Sequence, residues 1–286
     1  MTMTTTTSLD YFTALVQQAN DVPLFEAALA IAQDVYPKLD FNAPQDELDR
    51  LANTLRQRLP PDASAIQKLR QLNQFFYQEL GFAINVNHYY DTDNSYLHRV
   101  IAKRRGIPIS LAVIYMELAQ QIGLPVKGVS FPGHFLMKLT VPSGDIMIDP
   151  SNGASLSREE LEERLEPYLP TENEEERAAS RLSLISYLQI AHPHDILVRM
   201  LRNLKAIYQQ SNHWQRLLEV QQRILILLPG DAVERRDRGL AFAQLDCPQA
   251  ALEDLENYLA QRPHASDAAA LYQQAIELRE ACRRLN

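Results

Sequence analysis

Residues 104–115 read RRGIPISLAVIY, two arginines, a glycine and a proline ahead of an apolar run. Gly106 breaks whatever precedes it. Pro108 suits the first position of a new helix, where its fixed φ and missing N–H cost nothing. From Ile109 to Ile122 the apolar residues cover most of the circumference, the pattern of a central, buried helix. After Gly123 the period drops to two, so Val126–Phe131, His134–Val141 and Asp145–Asp149 read as strands, the last two joined through Pro142, Ser143 and Gly144. A buried helix followed by a small antiparallel sheet is the core of an α+β domain.

Both flanks of this core read as helical. Upstream, Leu9–Gln18, Leu24–Tyr36, Gln45–Arg58 and Ser64–Glu79 are amphipathic, and the last stops at Leu80 and Gly81. The stretch His88–Asn94, HYYDTDN, is a polar loop without the glycine turn and terminal glutamate of a calcium site. Ser95–Lys103 follows as a short helix. Downstream, Ser155–Ser180 is strongly acidic and reads as a solvated helix plus linker.

Past Leu182 a repeat emerges. Pro229 and Pro263 lie 34 residues apart, and at the same offset Tyr208 matches Phe242, Leu218 matches Leu252, Ile224 matches Tyr258 and Leu225 matches Leu259. That period, with an aromatic in the first helix and a closing proline, is the tetratricopeptide pattern of stacked helix pairs. Leu217 stands where Ala251 supplies the usual small residue, and Arg235 stands where the pattern prefers Trp. Ala265–Arg284 reads as a capping helix. The chain is therefore expected to divide into residues 1–185 and 186–286, and two repeats are few enough that they should pack on the first domain or on a second subunit.

With 46% apolar and 22% charged residues in 286, the chain has the balance of a globular protein that buries a core. A formal charge of −8 argues against nucleic acid as a partner, because that binding draws on clustered Lys and Arg. Cys247 and Cys282 have neither CxxC nor mixed Cys/His spacing, so no metal is expected and a reducing compartment is the default. The opening MTMTTTTSLD lacks a basic and an apolar region, and no 18-residue apolar run occurs. A cytoplasmic protein with a frayed N-terminal tail, and no membrane association, is the expectation.

The helix–strand–strand order invites comparison with a nucleophile–His–Asp set, in which an attacking residue needs a base and an orienting acid. The motifs Gly106–Ala112 (GIPISLA), Ile122–Lys127 (IGLPVK), FPGHFLMKL around His134 and DPSNG from Asp149 resemble the transglutaminase-like superfamily, which has a papain-like core. With the C-terminal repeats, the chain is similar to the SirB-one family of bacterial transglutaminase-like proteins over nearly its whole length. The resemblance implies that the family cysteine falls on Pro108, the histidine on His134 and the aspartate on Asp149. A proline carries no nucleophilic atom, so papain-type acyl transfer is excluded on residue identity.

Ser110 is no simple substitute, since two residues rotate it about 200° around the helix from position 108. It aligns instead with Glu117 and Gln121 and reads as a hydrogen-bonding residue of the helix N-terminus. In the strands, a regular hairpin centred between Ser143 and Gly144 sets Asp149 opposite Lys138, on the face of His134 but roughly 13 Å along the strand. A turn nearer Val141-Pro142 would bring the two together. A His134–Asp149 pair beneath a helix N-terminus could hold a carboxylate, an amide or a water. Arg104 and Arg105 at its mouth, with Ser110 and Tyr115 on the helix, complete the expected binding set. His192 and His194 precede Asp195 at a helix start, where capping accounts for them better than a metal.

The leading expectation is a non-catalytic protein-interaction or regulatory module that binds a protein or peptide through its repeats, with no cofactor. The alternatives are a hydrolase or amide-processing enzyme using His134 and Asp149 with water or an atypical nucleophile such as Ser130, and a small-ligand sensor.

Overall fold

A computed structural model describes residues 7–18, 22–169 and 184–285; the first six residues of the expected N-terminal tail and the acidic run Glu172–Glu176 lie outside them, while Thr7 caps the first helix and Ser8–Asp10 open it. The chain forms two compact units, one from Val22–Ala32 and Lys38–Met200, the other from Met1–Asp21, Gln33–Pro37 and Leu201–Asn286. This differs from a single division at 185/186. The first helix, α1 (Ser8–Val16), groups with the repeats because Phe12 and the 33–37 turn meet a buried arginine there: Arg223 pairs with Asp34, stands 5.6 Å over the Phe12 ring, and is only 2% exposed. Among the described residues no helix is long and apolar enough to cross a membrane.

The first unit runs through α2 (Leu24–Ala30), α3 (Asn42–Arg58), α4 (Ala65–Asn73), a π-helical turn Gln74–Glu79, β1 (Ala83–Ile84), α5 (Leu97–Lys103), β2 (Arg105–Gly106) and α6 (Pro108–Gln121). A four-stranded antiparallel sheet follows in the order β3 (Lys127–Val129), β4 (Leu136–Val141), β5 (Gly144–Ile148), β6 (Ser155–Leu156), and then α7 (Arg158–Leu165). Helix α6 begins at Pro108 and buries Ile109 through Met116, as its all-round apolar surface requires. It packs against β3 and β4.

Its N-terminus is fixed from within. Ser110 is fully buried; its Oγ accepts the Ile107 N–H at 3.1 Å and lies 2.6 Å from the Asn94 carbonyl and 3.0 Å from that of Ile107. Asn94 in turn donates to the carbonyls of His88 (2.6 Å) and Tyr89 (3.1 Å), so the polar loop before α5 is tied to the start of α6. A Cβ on Gly106 would lie 2.7 Å from Ser110 Oγ and 2.9 Å from Val100 Cγ1. The glycine is therefore needed for close approach. The chain break expected of it belongs to Arg104, which ends α5 in the left-handed region at φ 57°, and Arg105–Gly106 then pairs in parallel with Ala83–Ile84.

The hairpin has a different register from the regular one. Val141 pairs with Gly144 and Lys138 with Met147, so the turn is the two residues Pro142 and Ser143, and Gly144 accommodates it with φ 131°. Continuing that register sets Asp149 opposite Leu136, about 7 Å along the strand from His134's row rather than about 13 Å. Leu136 and Met147 share a core with Leu161 and Leu165 of α7, so Asp149 projects on the face that α7 covers.

In the second unit the helices Trp214–Leu227 and Pro248–Gln261 alternate with Ala232–Gln244 and Ala268–Leu285, after Pro193–Gln210. The repeat is visible in the backbone: Asn212 and Asp246, one period apart, both take left-handed conformations at φ 55° and 52°. Leu252, Leu255, Tyr258 and Leu271 form its core. At the start of Pro193–Gln210, His192 Nδ1 accepts the His194 N–H and Asp195 accepts that of His192, which is the capping arrangement.

Ser110→Ala removes the hydroxyl's bonds to Ile107 and Asn94 and leaves only the long 3.4 Å Ile107 N–H to Asn94 carbonyl bond between them, a change expected to cost about 1 kcal/mol in urea unfolding. No measurable loss would contradict the role assigned to the hydroxyl.

Candidate functional site

The DPSNG loop, residues 149–153, is clamped by polar side chains from α4, the π-helical turn and α6. Tyr115 Oη donates to Asn73 Oδ1 at 2.7 Å, Asn73 Nδ2 donates to the Gly153 carbonyl at 2.9 Å, and Tyr77 Oη donates to the Pro150 carbonyl at 3.0 Å. Gly153 sits at φ 76°, with space for a Cβ already taken by Tyr77 and Asn73. Burial pushes the Tyr115 phenol far above its ordinary value, and the Tyr77 phenol upward as well, with Tyr115 and Asp149 adding to the Tyr77 shift. Both tyrosines therefore act as neutral donors. The π turn shifts Tyr77 out of α-helical phase and toward the loop, a local irregularity of the kind that gathers at functional sites.

Asp149, 8% exposed, is the centre of the loop. One oxygen accepts the Ser151 N–H at 2.8 Å, and the other meets Arg164 Nη2 of α7 at 2.7 Å. Burial alone would raise its pKa, but the Ser151 and Arg164 hydrogen bonds and the Arg164 charge outweigh it and hold the carboxyl below 3.8. His134 lies within electrostatic reach of Asp149, and among the described residues no hydrogen bond joins its ring to that carboxylate. Its backbone N–H donates to the Phe131 carbonyl at 3.1 Å. Burial, first, and then Arg164 lower the imidazole pKa below 6.5, Asp149 pulls the other way, and Arg199 lowers it further. The ring is thereby biased to the neutral form.

The remaining expected site residues have framework roles. Pro108 is the first residue of α6. Ser110 and Tyr115 are fully buried, their hydroxyls used by Asn94, Ile107 and Asn73. Arg104 pairs with Glu47 at 2.7 Å and lies 4.7 Å over the Phe82 ring, while Arg105 Nη1 donates to the carbonyls of Gly81 (2.6 Å) and Arg104 (2.8 Å). Together they brace the β1–β2 end of the unit. Arg164, Arg199, Asn73 and Tyr77 are the side chains that contact the Asp149 loop or the His134 turn without having been expected there. Arg164 was hidden in a run read as solvated, although its neighbour Leu165 sits at core spacing from Leu161.

Residues 42–202 match the family model of the transglutaminase-like superfamily. The chain belongs to that superfamily. Residues 204–275 match a tetratricopeptide-repeat model, so this member joins the superfamily domain to helical repeats. It is 42% identical over 239 residues to a UPF0162 protein of Xylella fastidiosa, covering 83% of each chain. It is 29% identical to the UPF0162 protein YchA of Escherichia coli over 85% of this chain and 88% of that one, and 29% identical to Protein SirB1 of Salmonella typhimurium at the same coverage. No solved structure matches significantly.

Asp149→Asn keeps the side chain's shape and removes its charge. Because the folded-state pKa lies below 3.8, the carboxylate's contribution to stability is complete above that value and is lost as pH falls through the folded value. The variant is therefore expected to unfold at lower urea than wild type at neutral pH, with the gap closing as pH drops below 3.8. A gap independent of pH would contradict the Arg164 pairing.

Proposed function

We propose that this protein works without covalent catalysis, as a protein-interaction or regulatory module. In this reading its transglutaminase-like domain is a framework, its repeats carry the partner, and the two regions act as separate functional domains. The observation that carries the reading is the occupancy of the reaction centre. Pro108 stands where the resemblance places the attacking cysteine and offers no nucleophilic atom. Asp149 supports it further, because its oxygens are engaged by Arg164 and the Ser151 N–H and not by the His134 ring. An imidazole without an orienting acid is a poor general base.

The repeats supply a surface suited to a peptide. A cleft of about 740 Å³ has Leu227, Pro229 and Val233 on its apolar side, with Arg202, Gln261 and Arg262 also lining it. Arg202 is already committed to Glu234 at 2.9 Å, leaving Arg262 as the cation best placed for an acidic residue of a partner. Stacked helix pairs commonly present such concave surfaces to peptides. The thiols of Cys247 and Cys282 are free, in keeping with a reducing, cytoplasmic setting.

Intact-mass analysis after incubation with electrophilic acyl probes, run beside an amine-incorporation and ester-hydrolysis screen, tests the proposal. Wild type and His134→Ala are expected to behave alike, with neither a stoichiometric adduct in residues 104–115 nor turnover. Turnover that disappears in His134→Ala while the fold is retained would overturn it in favour of an enzyme.

A further inference from the structure

The turn carrying His134 holds a second charged group that neither the framework nor the missing nucleophile explains. Arg199, in the helix Pro193–Gln210, sends Nη1 to the Phe131 carbonyl at 2.9 Å and to Ser130 Oγ at 3.1 Å. The same Phe131 carbonyl accepts the His134 N–H at 3.1 Å, so guanidinium and histidine turn share one anchor. The guanidinium also lies 5.9 Å from the centre of the Phe135 ring. Its other donors, Nε and Nη2, have no hydrogen-bond partner among the described residues, and it has no carboxylate partner there.

Aromatic side chains lie near this group. The Tyr168 hydroxyl fills the space beside Gly133, where a Cβ would come within 1.8 Å of it. Tyr168 and Tyr89 both lie within electrostatic reach of Arg199. Tyr168 is 54% exposed and Tyr89 44% exposed, so both side chains are open to a ligand.

We infer that Arg199, the His134 turn and the rings of Tyr168 and Tyr89 form a binding site for a small ligand bearing one carboxylate beside a flat apolar body. A planar guanidinium with two donors still available matches a carboxylate in geometry. The charge count selects a monoanion. Of the described groups near the turn, Arg164 is neutralised by Asp149, His134 is biased to its neutral form, the two tyrosines are uncharged, and Arg199 is left with a charge that no described carboxylate balances. A dianion such as phosphate would exceed what one cation can offset. The site shares no residue with the repeat cleft and stands whether or not the domain is catalytic.

Linkage supplies the readout. An anion held beside His134 favours the imidazolium, so its binding raises the His134 pKa, and binding must tighten as pH falls through that titration. The experiment follows the His134 ring resonance of the full chain by NMR, with benzoate as probe, benzamide as its neutral isostere and inorganic phosphate as the dianion. Benzoate is expected to shift the resonance saturably, with a dissociation constant on the order of 1 mM, and to raise the His134 pKa. Benzamide should do neither, and phosphate should bind more weakly.

Arg199→Gln is expected to weaken benzoate about tenfold or more, with Arg199→Lys between the two. Since Nη1 also braces the Phe131 carbonyl, Tyr168→Ala provides a second variant outside that brace, expected to weaken benzoate without altering the wild-type His134 pKa direction. No saturable benzoate shift in wild type, equal binding of benzamide, or tighter binding of phosphate overturns the inference.

Discussion

The Ser110 hydroxyl ties the start of α6 to the polar loop closed by Asn94, close against Gly106, and reinforces the direct Ile107 N–H to Asn94 carbonyl bond between the same two segments. A buried hydroxyl can be tolerated only if its hydrogen bonds are made, and here they are made to the Ile107 and Asn94 backbone groups. Gly106 exists to leave room for it. With the start of α6 fixed in this way, Tyr115, two turns further on, is delivered to Asn73, and through Asn73 the Asp149 loop is set against the sheet.

The positioning of Asp149 is as well built as a catalytic residue's would be, yet its charge is used internally. Tyr115, Asn73 and Tyr77 hold the loop, and Arg164 takes the carboxylate. Asp149 is thus held in an ion pair with Arg164, and among the described residues no hydrogen bond joins it to the His134 ring. A partly buried ion pair of this kind contributes specificity to the loop's placement more than net stability, since both charges lose hydration when it forms.

Much of this was legible in sequence. Pro108 at the head of an all-apolar helix, the switch from helical to alternating period after Gly123 and the 34-residue repeat each rest on a local rule, and each element stands where that rule put it. The hairpin register was not legible, because Pro142-Ser143-Gly144 permits more than one turn and only Gly144's positive φ selects the two-residue form. The grouping of α1 with the repeats depends on Arg223 and Asp34, charges far apart in sequence that no periodic pattern connects. Likewise, the companions of His134 and Asp149 come from α4, the π turn, α7 and the Pro193–Gln210 helix. Their residue types are ordinary, and tertiary packing alone makes them neighbours.

What separates a framework from a latent enzyme is whether His134 can still act on the residue at position 108. A thiol placed there reports this directly, through the pH dependence of its alkylation in Pro108→Cys followed on the peptide itself, with and without His134→Ala. A helix N-terminus lowers a cysteine pKa by its own field, so the comparison between the two variants carries the information. The account expects the same thiol pKa in both. A thiol pKa that rises when His134 is removed would contradict it, because the histidine would then still be poised as the base of a working pair.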